Sequence, residues 1–164
     1  MGSVKAQTHL QKLGFSEKDK KNLKHDTIQK WAYDNIDEIV SKTVMADNPH
    51  PYKIVANKWE HQVLYENGNY KMIVGYIDLM VIIKGQFYFH DTKKYEEGEM
   101  SLFIEVKTQI PSLGELIRQM RAYQSYQRGV LNRYMVIAPD DTHKDLLKEQ
   151  GFLFYKYQDP TQLF

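Results

Sequence analysis

Two runs in this chain, YKMIVGYIDLMVII at residues 70–83 and MSLFIEVKT at 100–108, are nearly continuous in apolar residues rich in Ile, Val, Phe and Tyr. Neither reaches the ~20 residues that a membrane-spanning helix needs. Their length and β-branched content predict strands instead. A strand that is apolar at successive positions, rather than at alternate ones, has to be covered on both faces. The chain must therefore supply helices to both sides of one sheet. With 164 residues, 42% of them hydrophobic, it has the length to do so.

The flanking segments read accordingly. Residues 1–24 are polar and lysine-rich, and are expected to form a short helix with a loose lead-in. From Asp26 the apolar residues Ile28, Trp31, Ala32, Ile36, Ile39, Val40 and Val44 recur at three- and four-residue spacing, the stripe of an amphipathic helix. Asp26 and Gln29 have the spacing of an N-terminal capping pair, and Asn48-Pro49-His50-Pro51 ends the helix. KWEHQVLY and the long run 70–83 flank a turn at Asn67-Gly68. KGQFYFH is expected to return as a hairpin partner after Lys84-Gly85, and DTKKYEEGE to be a solvent loop. MSLFIEVKT is the central strand. A helix over Glu115–Tyr126, a strand YMVIAPD, a short helix closed by Gly151 and a strand FLFYKY follow. The order helix, three strands, helix, strand, helix, strand predicts an α/β fold: a mixed sheet flanked by helices. No repeat or low-complexity segment divides it. Residues 1–164 are expected to be one domain, with the lead-in at 1–24, a core at 26–138, and a C-terminal helix and strand at 139–164.

Charges interrupt the two apolar runs. Asp78 lies inside the first, Glu105 and Lys107 inside the second. Residues two apart on a strand share a face, so Glu105 and Lys107 project together. A lone buried carboxylate costs several kcal/mol unless it is paired or binds a cation. Two readings are open. One is a buried salt bridge of Asp78 or Glu105 with Lys107. The other is a site for a hard cation, in which Asp78, Glu105 and the Val106 carbonyl present oxygens to Mg²⁺, with Lys107 beside them to offset charge on a phosphate.

Asp78 followed 27 positions later by Glu105-Val106-Lys107 resembles the split motif of the PD-(D/E)xK nuclease superfamily. Ile77 stands where the motif's usual proline would be, and Gly75-Tyr76-Ile77-Asp78 resembles the Gly-x-x-Asp of RecB-like nuclease domains. Gln119 and Tyr123 match the Gln-x-x-x-Tyr motif of the same branch, and their spacing puts them on one helical face. The resemblance implies a restriction-endonuclease-like αβββαβ core over residues 26 to about 138. It implies hydrolysis of DNA with Mg²⁺ or Mn²⁺ as cofactor, with Asp78, Glu105, Lys107, Gln119 and Tyr123 as catalytic residues and Asp78, Glu105 and Val106 holding the metal. It also brings in Glu60 on the first strand, and His25 and Asp26 at the first helix, as additional site residues. Each of these three has a plain structural reading as well, an edge-strand charge for Glu60 and a helix cap for His25-Asp26. Arg118 and Arg121 are candidate DNA-phosphate contacts, or simply surface charge.

Composition narrows the field. The absence of cysteine excludes disulfides, cysteine-ligated zinc and an iron–sulfur cluster within this chain, and suits a cytoplasmic location. The N-terminus lacks the apolar stretch of a signal peptide, so no membrane association is expected. A net charge of +1 means that DNA would be met through a local patch. His61, His90 and His143 show no ligand spacing. An inactive DNA-binding or assembly module of the same fold, and an RNA-directed nuclease, are the alternatives. A homo-oligomer or a protein partner is compatible with either.

Overall fold

The computed structural model describes residues 23–127, 129 and 131–160. Helices α1 (Leu23–Asp34) and α2 (Ile36–Lys42) precede three long strands, β1 (Tyr52–Asn67), β2 (Tyr70–Phe89) and β3 (Lys94–Val106). Then come α3 (Leu113–Tyr126), β4 (Asn132–Ala138), α4 (Lys144–Glu149) and β5 (Leu153–Lys156). The five strands form one sheet in the order β1-β2-β3-β4-β5. β1–β2 and β2–β3 are antiparallel, and β3–β4 and β4–β5 are parallel. This is the mixed α/β sheet flanked by helices that the sequence predicts, with MSLFIEVKT on its central strand. The lysine-rich lead-in lies outside the described residues, apart from Leu23 and Lys24, which belong to α1.

Two apolar layers explain the continuous hydrophobic runs. On one face, Leu79, Val81 and Ile83 of β2 and Leu102, Ile104 and Val106 of β3 pack against Ile28, Ala32, Ile36, Ile39 and Val40 of α1 and α2. On the other, Met80, Phe103, Tyr134 and Val136 pack against Leu116, Met120 and Tyr123 of α3. From Leu79 to Ile83 of β2, and along β3 and β4, the odd and even positions thus enter different cores. α3 begins where Ser112 accepts a hydrogen bond from the Glu115 amide at 3.3 Å, a side-chain cap that satisfies a first-turn donor.

Four details differ from the sequence reading. The first helix is two segments: the backbone leaves helical geometry at Asn35, with φ −109 and ψ 22, and the Asn35 side-chain nitrogen bonds back to the Trp31 carbonyl at 2.8 Å. Asp26 and Gln29 do not cap it: α1 already spans Leu23, Asp26 is an exposed interior residue, and Gln29 is buried against the sheet. Lys84-Gly85 is not a turn. β2 runs straight through it to Phe89, and a Cβ on Gly85 would come within 3.1 Å of the Tyr52 Cβ, so the glycine serves a close strand approach. The turn instead follows Phe89, whose carbonyl accepts from the Lys93 amide at 2.8 Å while Lys93 adopts φ 56. The segment expected as a solvent loop therefore becomes the start of β3, paired from Lys94 with Phe89 to Glu99 with Lys84. It reads polar because this end of the ladder extends past the helices into water.

Ile28 is fully buried between α1 and the sheet. Ile28→Ala is expected to lower stability by about 2–5 kcal/mol in urea unfolding, the usual cost of such a cavity.

Candidate functional site

β2 and β3 stay paired down to Leu79 and Ile104 and then part. Asp78 and Glu105 are the first residues beyond the last pair, one on each side of the fork. The side chain of Asp78 completes what the ladder leaves open: its Oδ2 accepts from the Val106 amide at 2.8 Å. Lys107 is held on the other side by its own amide, which donates to the Ile137 carbonyl of β4 at 2.9 Å.

The facing of β2 changes at the same point. Leu79 enters the α1–α2 core, while Ile77, two residues earlier, enters the α3 core. Regular alternation would give them one face. Across the β1–β2 ladder, Trp59 pairs with Leu79 and His61 with Ile77. Glu60, between them, has φ 53, a left-handed conformation that a residue with a side chain adopts at a cost. Both strands thus turn at the level of Asp78, and the break aims its carboxylate into the fork.

α1 closes the fork from one side. His25 Nε2 lies 3.3 Å from Asp78 Oδ2, and Gln29 Nε2 donates to the Asp78 carbonyl at 2.8 Å. His25 and Gln29 are four apart and flank Ile28 on the buried stripe, so one helical turn grips both polar ends of Asp78. α3 closes the other side. Gln119 Nε2 donates to the Tyr123 hydroxyl, and that hydroxyl donates to the Tyr76 carbonyl, both at 3.0 Å. Burial, then the negative charge of Glu105 and that of Asp78, push the Tyr123 phenol well above its ordinary range, against the hydrogen bond from Gln119. The phenol therefore stays neutral, and both carboxylates are close enough to act on it.

Lys107 Nζ and Glu105 Oε1 are 3.8 Å apart. A charge-assisted N–H···O bond is ~2.7–2.9 Å, so this is an ion pair without a tight hydrogen bond. Glu105 pairs in register with Val136 and Phe103 with Tyr134, which puts Glu105 on the α3 face. Among the described residues, the buried polar or charged ones are His25, Gln29, Asp78, Glu105, Lys107 and Gln119. All of them line this fork.

The remaining sequence candidates fall elsewhere. Asp26 is exposed, with Oδ1 3.7 Å from His25 Nδ1. Glu60 lies level with Asp78 along the ladder but is exposed. Arg118 is exposed on α3. Arg121 is committed to the α4–β5 turn: Nη2 donates to the Gln150 carbonyl at 2.7 Å, and the guanidinium lies 4.7 Å from the centre of the Phe152 ring. Gln29 is the site residue that the sequence reading assigned to a cap. Its four-residue spacing from His25, on the same stripe as Ile28 and Ala32, was the available signal.

No family model and no curated protein match the sequence. Solved structures similar to this chain include an EndoMS–dsDNA2 complex, with 18% identity and a TM-score of 0.37 over 77% of this chain and 44% of that one. Another is a repair endonuclease from Pyrococcus abyssi, with 17% identity and a TM-score of 0.37 over 77% of this chain and 47% of that one. The chain spans less than half the length of either. Among the described residues, no helix is long and apolar enough to cross a membrane.

Tyr123→Phe removes the donor to the Tyr76 carbonyl and the acceptor of Gln119. It is expected to cost about 1–3 kcal/mol in denaturant unfolding. The unfolded chain ionises this phenol near pH 10 and the folded chain does not. Above that pH the unfolded state therefore binds fewer protons, and stability falls as pH rises. Unfolding series at pH 9 to 11 should show a shallower fall for Tyr123→Phe than for the parent chain.

Proposed function

We propose that this chain is a nuclease that hydrolyses phosphodiester bonds in DNA with Mg²⁺ or Mn²⁺, of the RecB-like PD-(D/E)xK type. The observation that carries the reading is the gathering of the buried charged side chains at one strand fork, where Asp78 meets His25 and the Val106 amide and Glu105 stands beside Lys107. A bridge kept for stability alone matches charge to charge and closes to hydrogen-bond distance, because desolvation otherwise exceeds the Coulomb gain. Here the Glu105–Lys107 pair stands at 3.8 Å, longer than such a bridge.

The donor set suits a hard cation. It offers carboxylate oxygens and a backbone carbonyl, and the chain has no thiolate. Among the described residues, no three His, Asp or Glu side chains form a closed cage. Mg²⁺ is bound by one or two carboxylates while it keeps several waters. Asp78, Glu105 and the Val106 carbonyl would hold the ion, which supplies Lewis acidity and a water of lowered pKa. Lys107 sets an ammonium at the same edge, where it orients the attacking water and stabilises negative charge growing on the phosphate. His25 and Gln29 fix Asp78 against rotation, by its carboxylate and its carbonyl. Gln119 Oε1 is buried and accepts no hydrogen bond among the described residues. An unfilled acceptor in a dry site is unfavourable, and a donor on the water or substrate would satisfy it. The Gln119–Tyr123 hydrogen bond supports the RecB-like part of this reading.

The test is cleavage of labelled linear, circular and single-stranded DNA, and of RNA, with Mg²⁺, Mn²⁺ or EDTA. Fragments are expected from DNA with either cation and none with EDTA. Lys107→Ala and Asp78→Asn should each lower the rate by about 10²–10³ or more with the circular dichroism spectrum retained. Undiminished cleavage by both variants would overturn the assignment. DNA retained without fragments would make the chain a binding module, and cleavage confined to RNA would move the substrate.

A further inference from the structure

Beside the fork, on the α3 side of the sheet, the outer part of β1 and the end of α3 enclose a cleft of about 700 Å³. Its walls include His61, Tyr65 and Glu66 of β1 and Ser125, Tyr126 and Gln127 of α3. It adjoins the site through both elements. His61 pairs with Ile77, next to Asp78, and its ring lies 5.6 Å from that of Phe103, two residues before Glu105 on the same face. Tyr126 follows Tyr123 by three residues, which places it about one helical turn further along α3.

The lining chemistry selects its occupant. Among the described residues that line the cleft there is no lysine or arginine. The Glu66 carboxylate, 3.6 Å from Lys71 Nζ, brings a negative charge to the wall. A phosphate is not drawn into such a place, whereas an uncharged planar group is. Tyr65 and Tyr126 stand nearly perpendicular, 84° between planes with centroids 5.9 Å apart, so the cleft offers one ring by its face and the other by its edge. The Tyr134 hydroxyl donates to Gln127 Oε1 at 3.2 Å and fixes that amide at the rim. Burial, and then Lys58, lower the His61 imidazole below its ordinary range. It is therefore neutral near pH 7, with one donor and one acceptor nitrogen. Aromatic walls with neutral hydrogen-bonding edges are what hold an unstacked base. A duplex is far too large to enter, while one base turned out of its stack fits.

We propose that this cleft is a subsite for one unpaired nucleobase adjoining the scissile phosphate, so that the substrate is DNA with an unpaired nucleotide at that position. The proposal rests on the nuclease reading for its phosphate and adds the base. The aromatic walls take the base while the fork takes the charged backbone, and Tyr126 and Tyr123 on one helix keep the two spaced by about a turn.

The experiment measures binding without turnover. Fluorescence anisotropy in EDTA compares a labelled thymidine octamer with the same octamer made abasic at its central positions. The thymidine octamer is expected to bind roughly tenfold more tightly. Tyr126→Ala and His61→Ala should abolish that preference while leaving the affinity for the abasic strand unchanged. Tyr65→Ala, at a partly exposed position that tolerates truncation, is the second variant should Tyr126→Ala fail to fold. Lys107→Ala should keep the preference. Equal affinity for the two octamers, or a preference that survives all three cleft substitutions, overturns the subsite even if the chain cleaves DNA. A base preference lost in the cleft variants and kept in a chain that never cleaves upholds the subsite and removes the nuclease reading alone.

Discussion

The hydrogen bond from the Val106 amide to Asp78 Oδ2, 2.8 Å long, is the contact on which the surrounding structure depends. Where two strands separate inside a protein, a backbone donor would be left dry and unmet. Asp78 meets it with a carboxylate, and so brings a charge to a place with no exposed surface at all. That charge then needs company. α1 supplies it, His25 to the carboxylate and Gln29 to the carbonyl, and α1 can do so only because Ile28 and Ala32 seat it on the sheet. The apolar stripe and the polar contacts are consecutive positions of one helix, so the packing of the core and the aim of Asp78 are a single requirement.

The opposite side obeys the same logic with a different outcome. α3 brings an uncharged pair, Gln119 and Tyr123, against Glu105 and Lys107. A phenol driven toward its neutral form by burial, and then by two nearby carboxylates, brings no charge of its own. The fork is thus enclosed by groups that orient its acids: His25 and Gln29 hold Asp78, and Lys107 stands beside Glu105. Gathering ionisable groups in such a low-dielectric setting is unfavourable for folding. Local rules of burial are broken here and kept elsewhere in the core, which is the usual mark of a functional site.

How much of this the sequence carried depends on the kind of signal. Double-sided burial was legible because successive apolar residues admit few other structures, and MSLFIEVKT became the central strand. Asp78, Glu105 and Lys107 stood out as charges in apolar runs, and the structure brings them to one fork. The hairpin at Lys84-Gly85 failed for a physical reason: glycine serves turns and close approaches alike, and only the Tyr52 side chain across the ladder distinguishes them. The polar start of β3 failed because a strand wet on both faces has a loop's composition. Gln29 was misassigned because Asp26 offers a local cap, while its true partner, the Asp78 carbonyl, is 49 residues away. Arg121 could be read from charge alone as a phosphate contact. Its bond to the Gln150 carbonyl is tertiary and leaves no trace in the local sequence.

The fork and the neighbouring cleft share one origin. Up to Leu79 the strands β1 and β2 lie flat under α1 and α2, and beyond Asp78 their inward residues turn to α3. The left-handed backbone of Glu60 marks the same level on β1. A non-glycine residue in that conformation is disfavoured by roughly 1 kcal/mol or more, and it persists because the ladders on either side fix its neighbours. The turn has two effects at once. It parts β2 from β3, which exposes Val106 to Asp78. It also swings the outer arm of β1 toward α3, so that Val63 packs in the α3 core and Tyr65 meets Tyr126. A straight β1–β2 pair would continue the β2–β3 ladder past Asp78, leaving no place for a carboxylate to point, and would carry the arm away from α3. The strain at Glu60, an exposed residue outside the buried cluster, is in this sense what shapes the site.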